Sequence, residues 1–576
     1  MTEEQPVSVW RCYSVTGSML LVMIGLSVRL AHFHFWVPDV NRQELRNHRT
    51  VVRHSLVRRG VIRDRNGARN ILAMDINMKD VCADPYIIHK RSGVHDVSMM
   101  LGGILEMEPN TILERLKNPS RRFAYVHRFV EESVASRVKA FGFEGVFFQE
   151  SSVRRYPQDS LMCHVLGFAN YAGYGGAGVE LSMDRYLRGS PGEIVTEVDG
   201  LRHDRYLRRT MAVPARDGAH VELTLDQTVQ YFTEEALGNA VKEHFARAGC
   251  AIVMRVQTGE ILAMASYPAF NLNEFTTADR NAMLNRAIAS VYEPGSTMKA
   301  LVIASAMNEG LVSDTTPIDC EDGAWSHHGR ILRDHGHRYG TIPVSDVLRK
   351  SSNIGAAKIS LMLGPQKFYD YMRRFGLGKP LNLDLPGEEA GILHHVDRWT
   401  GISCSRIAIG QGVAVTPLQM LSIYNTIANE GRMMKPRVVR RVLGREGNVV
   451  LENKAEVLAT PINPHVSHTM RELLARVTEE GGTGKRARID GMRVAGKTGT
   501  AQKPENGGYS DTNYMASFVG FVPAESPELS LIVVIDEPQP RHSGGYVAAP
   551  VFKLIAEQAI RYLHLPASPY QVVSRM

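Results

Sequence analysis

The sequence predicts an α+β protein in which one antiparallel sheet, packed by helices, makes up the larger part of the chain. Three observations predict it. Strand-like apolar runs stand at both ends of the second half, at 250–256, 260–266, 516–522 and 529–536, and helical patterns fill the space between. The first half is an irregular mixture of short strands, short helices and turns, rich in Arg and Gly. An uncharged apolar run near the N-terminus has the character of a membrane span.

Taken in order, residues 1–12 read as a short tail and 13–37 as an anchor. Residues 15–28 (VTGSMLLVMIGLSV) carry no charge; Arg29 interrupts, and LAHFHFWV continues to Val37. The stretch exceeds the roughly 20 residues that a bilayer crossing needs. Arg29 lies near one end, where a long side chain snorkels to the headgroups. Tyr13 and Trp36 stand where interfacial aromatics belong. No small-x-small cleavage pattern follows, so an uncleaved anchor is expected rather than a signal peptide or a buried core helix. Flanking charge gives no useful orientation. Glu3, Glu4 and Arg11 precede the span, and Arg42, Arg46, Arg49, Arg53, Arg58 and Arg59 follow it, which alone would leave the large domain in the cytoplasm. Orientation has to come from function.

Residues 38–215 form the first folded unit. RGVIRDRNG at 59–67 reads as strand, turn, strand, a short helix is expected around 111–116, and GSPG at 189–192 is a turn. No catalytic cluster is visible there. The second unit spans 216–566, followed by a tail at 567–576. Residues 221–225 alternate as a strand, 227–243 suit an amphipathic helix, and Thr258-Gly259 joins two strands as a hairpin. Val551, Leu554, Ile555, Ala559 and Tyr562 mark one face of a closing helix. No internal repeat or low-complexity tract is present.

A chain of 576 residues is too long for one ordinary core. Hydrophobic residues at 44% and charged residues at 22% exclude bulk disorder. A net charge of +7 suits an anionic membrane surface, an acidic polymer or nucleic acid. The absence of zinc-finger spacing and of a basic-aromatic stripe argues against nucleic acid. Cys12, Cys82, Cys163, Cys250, Cys320 and Cys404 are scattered, with no C-x-x-C. They are expected to be buried free thiols, which sits uneasily with an oxidising compartment.

Three short motifs in the second unit carry chemistry. Ser296-Thr297-Met298-Lys299 follows Glu293-Pro294-Gly295 and runs into an apolar helix-forming stretch. Positions i and i+3 share a helix face, so Ser296 and Lys299 can touch. A lysine activates a serine only when burial or a helix end disfavours its ammonium form. The string recurs as Ser136-Arg137-Val138-Lys139 in a charged stretch, where a solvated helix face is the better reading. Ser351-Ser352-Asn353 is the second motif. Ser351 can relay a proton and the Asn353 amide can hold a substrate peptide bond, although Ser and Asn are also ordinary helix caps. The third is Lys497-Thr498-Gly499-Thr500. Small residues let a substrate backbone approach, and Lys497 with the two hydroxyls can grip a carboxylate. Residues 491–498 also match the bare phosphate-loop string, but a phosphate loop opens a helix and these residues lead into a polar, Gly-containing loop. His327, His328, His335 and His337 with Asp334 can be drawn as a metal site; the segment is loop-like and no metal is expected.

Together the motifs match the S-x-x-K, S-x-N and K-T-G set of penicillin-binding proteins and class A β-lactamases. Ser352, where the latter carry Asp, points away from the β-lactamases. Asn285-Arg286-Ala287-Ile288, Tyr292 to Ser296, Gly410-Gln411-Gly412, Val415 to Gln419 and Ala495 to Gln502 resemble class B penicillin-binding proteins. Arg59-Gly60, Asp64 to Gly67 and Gly178-Val179-Glu180 resemble that family's pedestal, or dimerisation-like, domain. Arg255 departs from an acidic residue common in relatives, without expected catalytic cost.

The resemblance implies the penicillin-binding transpeptidase fold on an α+β pedestal with one transmembrane helix. It implies a serine D,D-transpeptidase that cross-links peptidoglycan stem peptides ending in D-Ala-D-Ala and is acylated by β-lactams. Ser296, Lys299, Ser351 and Asn353 would be catalytic; Lys497, Thr498, Gly499 and Thr500 would bind substrate, with backbone N–H groups of Ser296 and Thr500 as the oxyanion hole. No cofactor is implied. The expected location is the bacterial inner membrane, single-pass, with the catalytic domain in the periplasm. Expected partners are a septal multi-span glycosyltransferase and other division proteins, because no glycan-polymerising pattern is present. Asn353 favours a septal over an elongation role. A membrane β-lactam sensor and a scaffold with a dead site are the rivals.

Overall fold

Val9–Phe35 is one continuous helix of 27 residues, α1, about 40 Å long at 1.5 Å per residue. Its side chains are exposed throughout, and it is long and apolar enough to cross a bilayer. The computed structural model describes residues 8–35, 50–54, 57–197, 210–336, 338–505 and 507–566. Trp36, Val37, Arg42, Arg46, Arg49, His337 and the outermost residues of both tails lie outside the described residues. The chain divides into a unit of 1–57 with 190–216 and a unit of 58–189 with 217–576. In the first, Thr50–His54, Glu193–Glu197 and Thr210–Val213 form a three-stranded antiparallel sheet.

The second unit begins with β1 (Ile62–Arg63), a tight turn at Asp64 to Gly67, and β2 (Ile71–Ala83). Asp64 makes that turn by accepting from Asn66 N and from the side-chain amides of Asn66 and Asn70. β3 (Ala124–Val130) and β4 (Val146–Arg155) pair with β2 on either side, and α2 (Val94–Leu105) packs nearby. α3 (Glu132–Ala140) carries the second S-x-x-K string; Ser136, Arg137 and Lys139 are all exposed, so it is a solvated helix face. Arg59 and Arg154 converge on buried Glu180: Arg59 Nε and Arg154 Nε lie 2.6 and 2.7 Å from its two oxygens, while Asp184 and Asp75 take a second nitrogen of each. Loss of one partner from such a buried set costs about 3–5 kcal/mol.

β5 (His220–Leu223) runs parallel to β1 and antiparallel to β10 (Val439–Leu443), so strands from both halves of the sequence share one sheet. α4 (Gln227–Glu243) follows, its first turn capped by Asp226, which accepts from Thr228 N and Val229 N. β6 (Ala248–Arg255) and β7 (Ile261–Tyr267) form the expected hairpin. Near the chain end, β11 (Ala495–Glu505), β12 (Gly508–Val522) and β13 (Leu529–Asp536) complete an antiparallel sheet in the order β7-β6-β13-β12-β11. Four of these strands are the runs the sequence predicts; the edge strand β11 is a correction, since it continues to Glu505 paired with β12 where a polar loop is expected.

Both faces of that sheet are covered, which is why its strands read as continuous apolar runs rather than as alternation. Val253, Val533 and Phe518 face α4 and the closing helix α9 (Gly544–Tyr562). Ile252, Ile532 and Val519 face a helical layer that includes α5 (Lys299–Asn308), α6 (Asn353–Leu363), α7 (Pro417–Ala428) and α8 (Pro464–Thr478). α9 departs from the expected face. Val551, Ile555 and Ala559 are buried as predicted, together with Val547 and Phe552, whereas Leu554 is 44% and Tyr562 37% exposed.

All six cysteines are free, five buried and Cys12 exposed on α1, which corrects the expectation that every thiol is buried. Burial pushes the thiols of Cys82, Cys163 and Cys250 up to about 11, 12 and 12.

Candidate active site

The first motif sits where a 3-10 turn, Gly295–Met298, feeds into α5. The expected helix therefore starts as its tighter variant, in which positions i and i+3 eclipse, and Lys299 N donates to Ser296 O. Ser296 is half-buried and Lys299 fully buried. Lys299 Nζ donates to Ser351 O (2.7 Å), Ser351 Oγ (3.1 Å) and Asn353 Oδ1 (2.7 Å). Those three bonds occupy the ammonium protons, and none goes to Ser296 Oγ. Catalytic hydrogen bonds commonly tighten only with substrate in place. Desolvation holds the Lys299 pKa well below the usual lysine value, Lys497 lowers it further, and Asp334 opposes both.

The second motif both caps a helix and reaches Lys299. Ser352 is the N-cap of α6, accepting from Gly355 N, while Ser351, at φ +61°, and Asn353 turn toward Lys299. A non-glycine residue in that region costs on the order of 1–3 kcal/mol, so the surrounding bonds hold Ser351 in place. Sequence reasoning missed what anchors this turn. Asp334 was drawn there with the histidines; here its oxygens accept from Asn353 N, Ile354 N and Ser352 Oγ. His327 instead stacks on Trp325 at 4.4 Å, and among the described residues no three metal-type side chains gather. Only the reversal between β8 (Ala324–His327) and β9 (Arg330–Arg333) brings Asp334 to the site, and no local pattern announces it.

The third motif lies in β11, beside the turn that carries Ser296. No helix follows Lys497, which removes the phosphate-loop reading. A Cβ on Gly499 would stand 2.3 Å from Ser517 Oγ, 3.0 Å from Thr297 Cγ2 and 3.1 Å from Pro294 O, so only glycine lets strand and turn meet. Gly295, at φ +58°, donates its N–H to Gly410 O, and Gly412 N donates to Glu293 Oε1; the Gly410-Gln411-Gly412 segment thereby cradles the entry to Ser296. Buried Tyr424 fixes the same turn by donating to Thr297 O.

Lys497, expected to help grip a carboxylate, has no exposed surface. Its Nζ lies near Thr498 O and Oγ1 at 3.3 and 3.4 Å, and burial pushes it down to about 7. Thr498 Oγ1 pairs with Thr483 Oγ1 at 2.9 Å, and Thr500 Oγ1 accepts from Gly544 N at 3.1 Å. All eight sequence-predicted residues thus come together at the junction of β11, α5 and α6.

Comparison with known proteins agrees with this architecture. Residues 249–557 match the penicillin binding protein transpeptidase domain, and 54–223 match the penicillin-binding protein dimerisation domain. The chain is 33% identical over 563 residues to the peptidoglycan D,D-transpeptidase FtsI of Escherichia coli K12, covering 96% of this chain and 92% of that one. It is 32% identical to the probable peptidoglycan D,D-transpeptidase PenA of Neisseria meningitidis serogroup A, over 89% of this chain and 86% of that one. Among solved structures, penicillin binding protein 2X of Streptococcus thermophilus superposes with a TM-score of 0.75 at 25% identity, covering 89% of this chain and 80% of that one. Penicillin binding protein 3 of Mycobacterium tuberculosis, complexed with aztreonam, does so at 0.70 and 27%, covering 90% and 98%. Two matched domains in this order, and a relative aligned along nearly the whole length, mean that the chain belongs to the class B penicillin-binding proteins.

Proposed function

We propose that this protein is a peptidoglycan D,D-transpeptidase of the division type and that Ser296 is its nucleophile. The observation that carries the reading is Lys299: buried, pressed toward its neutral form, one turn from Ser296 and bonded to both Ser351 and Asn353. Neutral Lys299 takes the Ser296 proton as Oγ attacks the carbonyl of the penultimate D-alanine. The C–N bond breaks, and the leaving D-alanine amine receives a proton along the Lys299–Ser351 pair. An amine of a neighbouring stem peptide then attacks the ester, forms the new amide and returns the proton to Ser296. Backbone N–H groups of Ser296 and Thr500 stabilise the oxyanion. Thr498 and Thr500 bind the substrate carboxylate across the surface that Gly499 leaves open, with Lys497 lending charge from behind. A β-lactam acylates the same serine and leaves slowly. α1 anchors the chain in the inner membrane as a single pass with the catalytic domain in the periplasm. The partners are a septal multi-span glycosyltransferase, which supplies the strands, and other division proteins. Relatives named FtsI and the asparagine at 353 support the division role.

The test is gel labelling with a fluorescent penicillin. Wild type becomes labelled and folded Ser296→Ala does not. Label that persists in Ser296→Ala, or disappears only on changing Ser136, rejects the assignment.

A further inference from the structure

Asp334 directly follows β9 and is buried, with a relative exposure of 9%. Its carboxylate is committed to the start of α6. Oδ1 accepts from the N–H groups of Asn353 (2.5 Å) and Ile354 (3.1 Å), and Oδ2 accepts from Ser352 Oγ (2.8 Å). One residue earlier, Arg333 O accepts from Asn353 Nδ2 (2.9 Å). That last bond fixes which way the Asn353 amide points. Its nitrogen is held by a carbonyl, so its oxygen meets Lys299; the reverse orientation would set two donors against each other. The β9 end thus orients the second motif through both its backbone and its side chain.

We propose that Asp334 is a positioning residue for the acylation step, holding Ser351 and Asn353 on Lys299 and keeping a fixed negative charge behind that lysine. The inference rests on the reading of Ser296 as the nucleophile. The charged groups acting on Lys299 are Lys497 from β11 and Asp334; its direct partners on the α6 side, Ser351 and Asn353, are neutral. Cys320 and Tyr339 also feel the carboxylate, and each is raised above its ordinary value, first by burial. Lys350 lies over the Tyr339 ring. Removing the negative charge therefore leaves Lys299 with less support for its proton, and the neutral base persists to lower pH.

The experiment measures the rate of acylation by a fluorescent penicillin against pH on the full-length protein, for wild type, Asp334→Asn and Ser352→Ala. Asp334→Asn keeps the size and one acceptor but loses the charge. Its rate is expected to fall about tenfold, as small misplacements of catalytic groups do. Its acid limb is expected to move down by about half a pH unit or more. Ser352→Ala loses the Oδ2 bond, together with the cap bond from Gly355 N, and keeps the charge, so its rate falls while its acid limb stays in place. An Asp334→Asn rate within twofold of wild type, or an unmoved limb, overturns the proposal. If Asp334→Asn fails to fold, Ser352→Ala decides: a wild-type rate overturns it. Failure of wild type to label, or labelling of Ser296→Ala, speaks against the nucleophile and is seen without any Asp334 variant.

Discussion

At the scale of residues, the site is a contest over one proton. Lys299 has lost its water and faces a second buried lysine, so its ammonium form is disfavoured twice. Lys497 influences it through space. Replacing Lys497 with Met keeps bulk and removes that repulsion, so the Lys299 pKa rises and the acid limb of penicillin acylation moves to higher pH. Acylation rates of Lys497→Met across pH 5 to 9 check this; a limb that stays or moves down breaks the link between the two lysines. The residues of this contest were legible in the sequence because each motif is local: Ser296 with Lys299, Ser351 with Asn353, Lys497 with Thr498. Asp334 was not. Its partners stand 18 to 20 residues away, and it had been grouped with neighbouring histidines by sequence proximity. The buried state of Lys497 was equally hidden, since a K-T-G string says nothing about which way its first side chain points.

At the scale of elements, strands were read better than helix faces. β6, β7 and β13 declare themselves as unbroken apolar runs because both faces of the sheet are covered. α9 offers more apolar positions than one stripe holds, and the pattern alone selected Leu554 over Phe552. Phe552 is fully buried, with its ring edge-on to Phe518 at 4.7 Å. Phe552→Ala is expected to cost about 3–5 kcal/mol, whereas Leu554→Ala is expected to stay within about 0.5 kcal/mol of wild type. Denaturant midpoints of the two variants give the comparison, and equal losses would mean that α9 packs differently. The start of α5 was read correctly as a helix, but not its type. Pro294 and Gly295 correctly announced a helix entry, but a 3-10 first turn looks the same in sequence as an α-helical one.

At the scale of the whole molecule, the order of the domains was plain from the motifs, while the sharing of strands was not. β5 reads as the opening strand of the second unit, yet it pairs with β1 from the first half and with β10 from deep in the second. Pairings across hundreds of residues leave no trace in local patterning. The division role also belongs to this scale, since it concerns what the cell loses. Depletion of the protein in a rod-shaped native host is expected to give long undivided filaments. Rounded cells with normal septation would instead assign it to side-wall growth.

The buried sulfur atoms have a consequence for how the molecule matures. A thiol must ionise before it exchanges or is oxidised, and the interior of this fold keeps Cys82, Cys163 and Cys250 protonated at any physiological pH. Once folded, these three sulfurs are chemically quiet toward oxidants and unavailable for mispairing, whereas Cys12, exposed on α1, is not shielded in this way. Free cysteines in a sequence therefore argue less against an oxidising exterior than their number suggests, because five of the six are buried once the chain has folded.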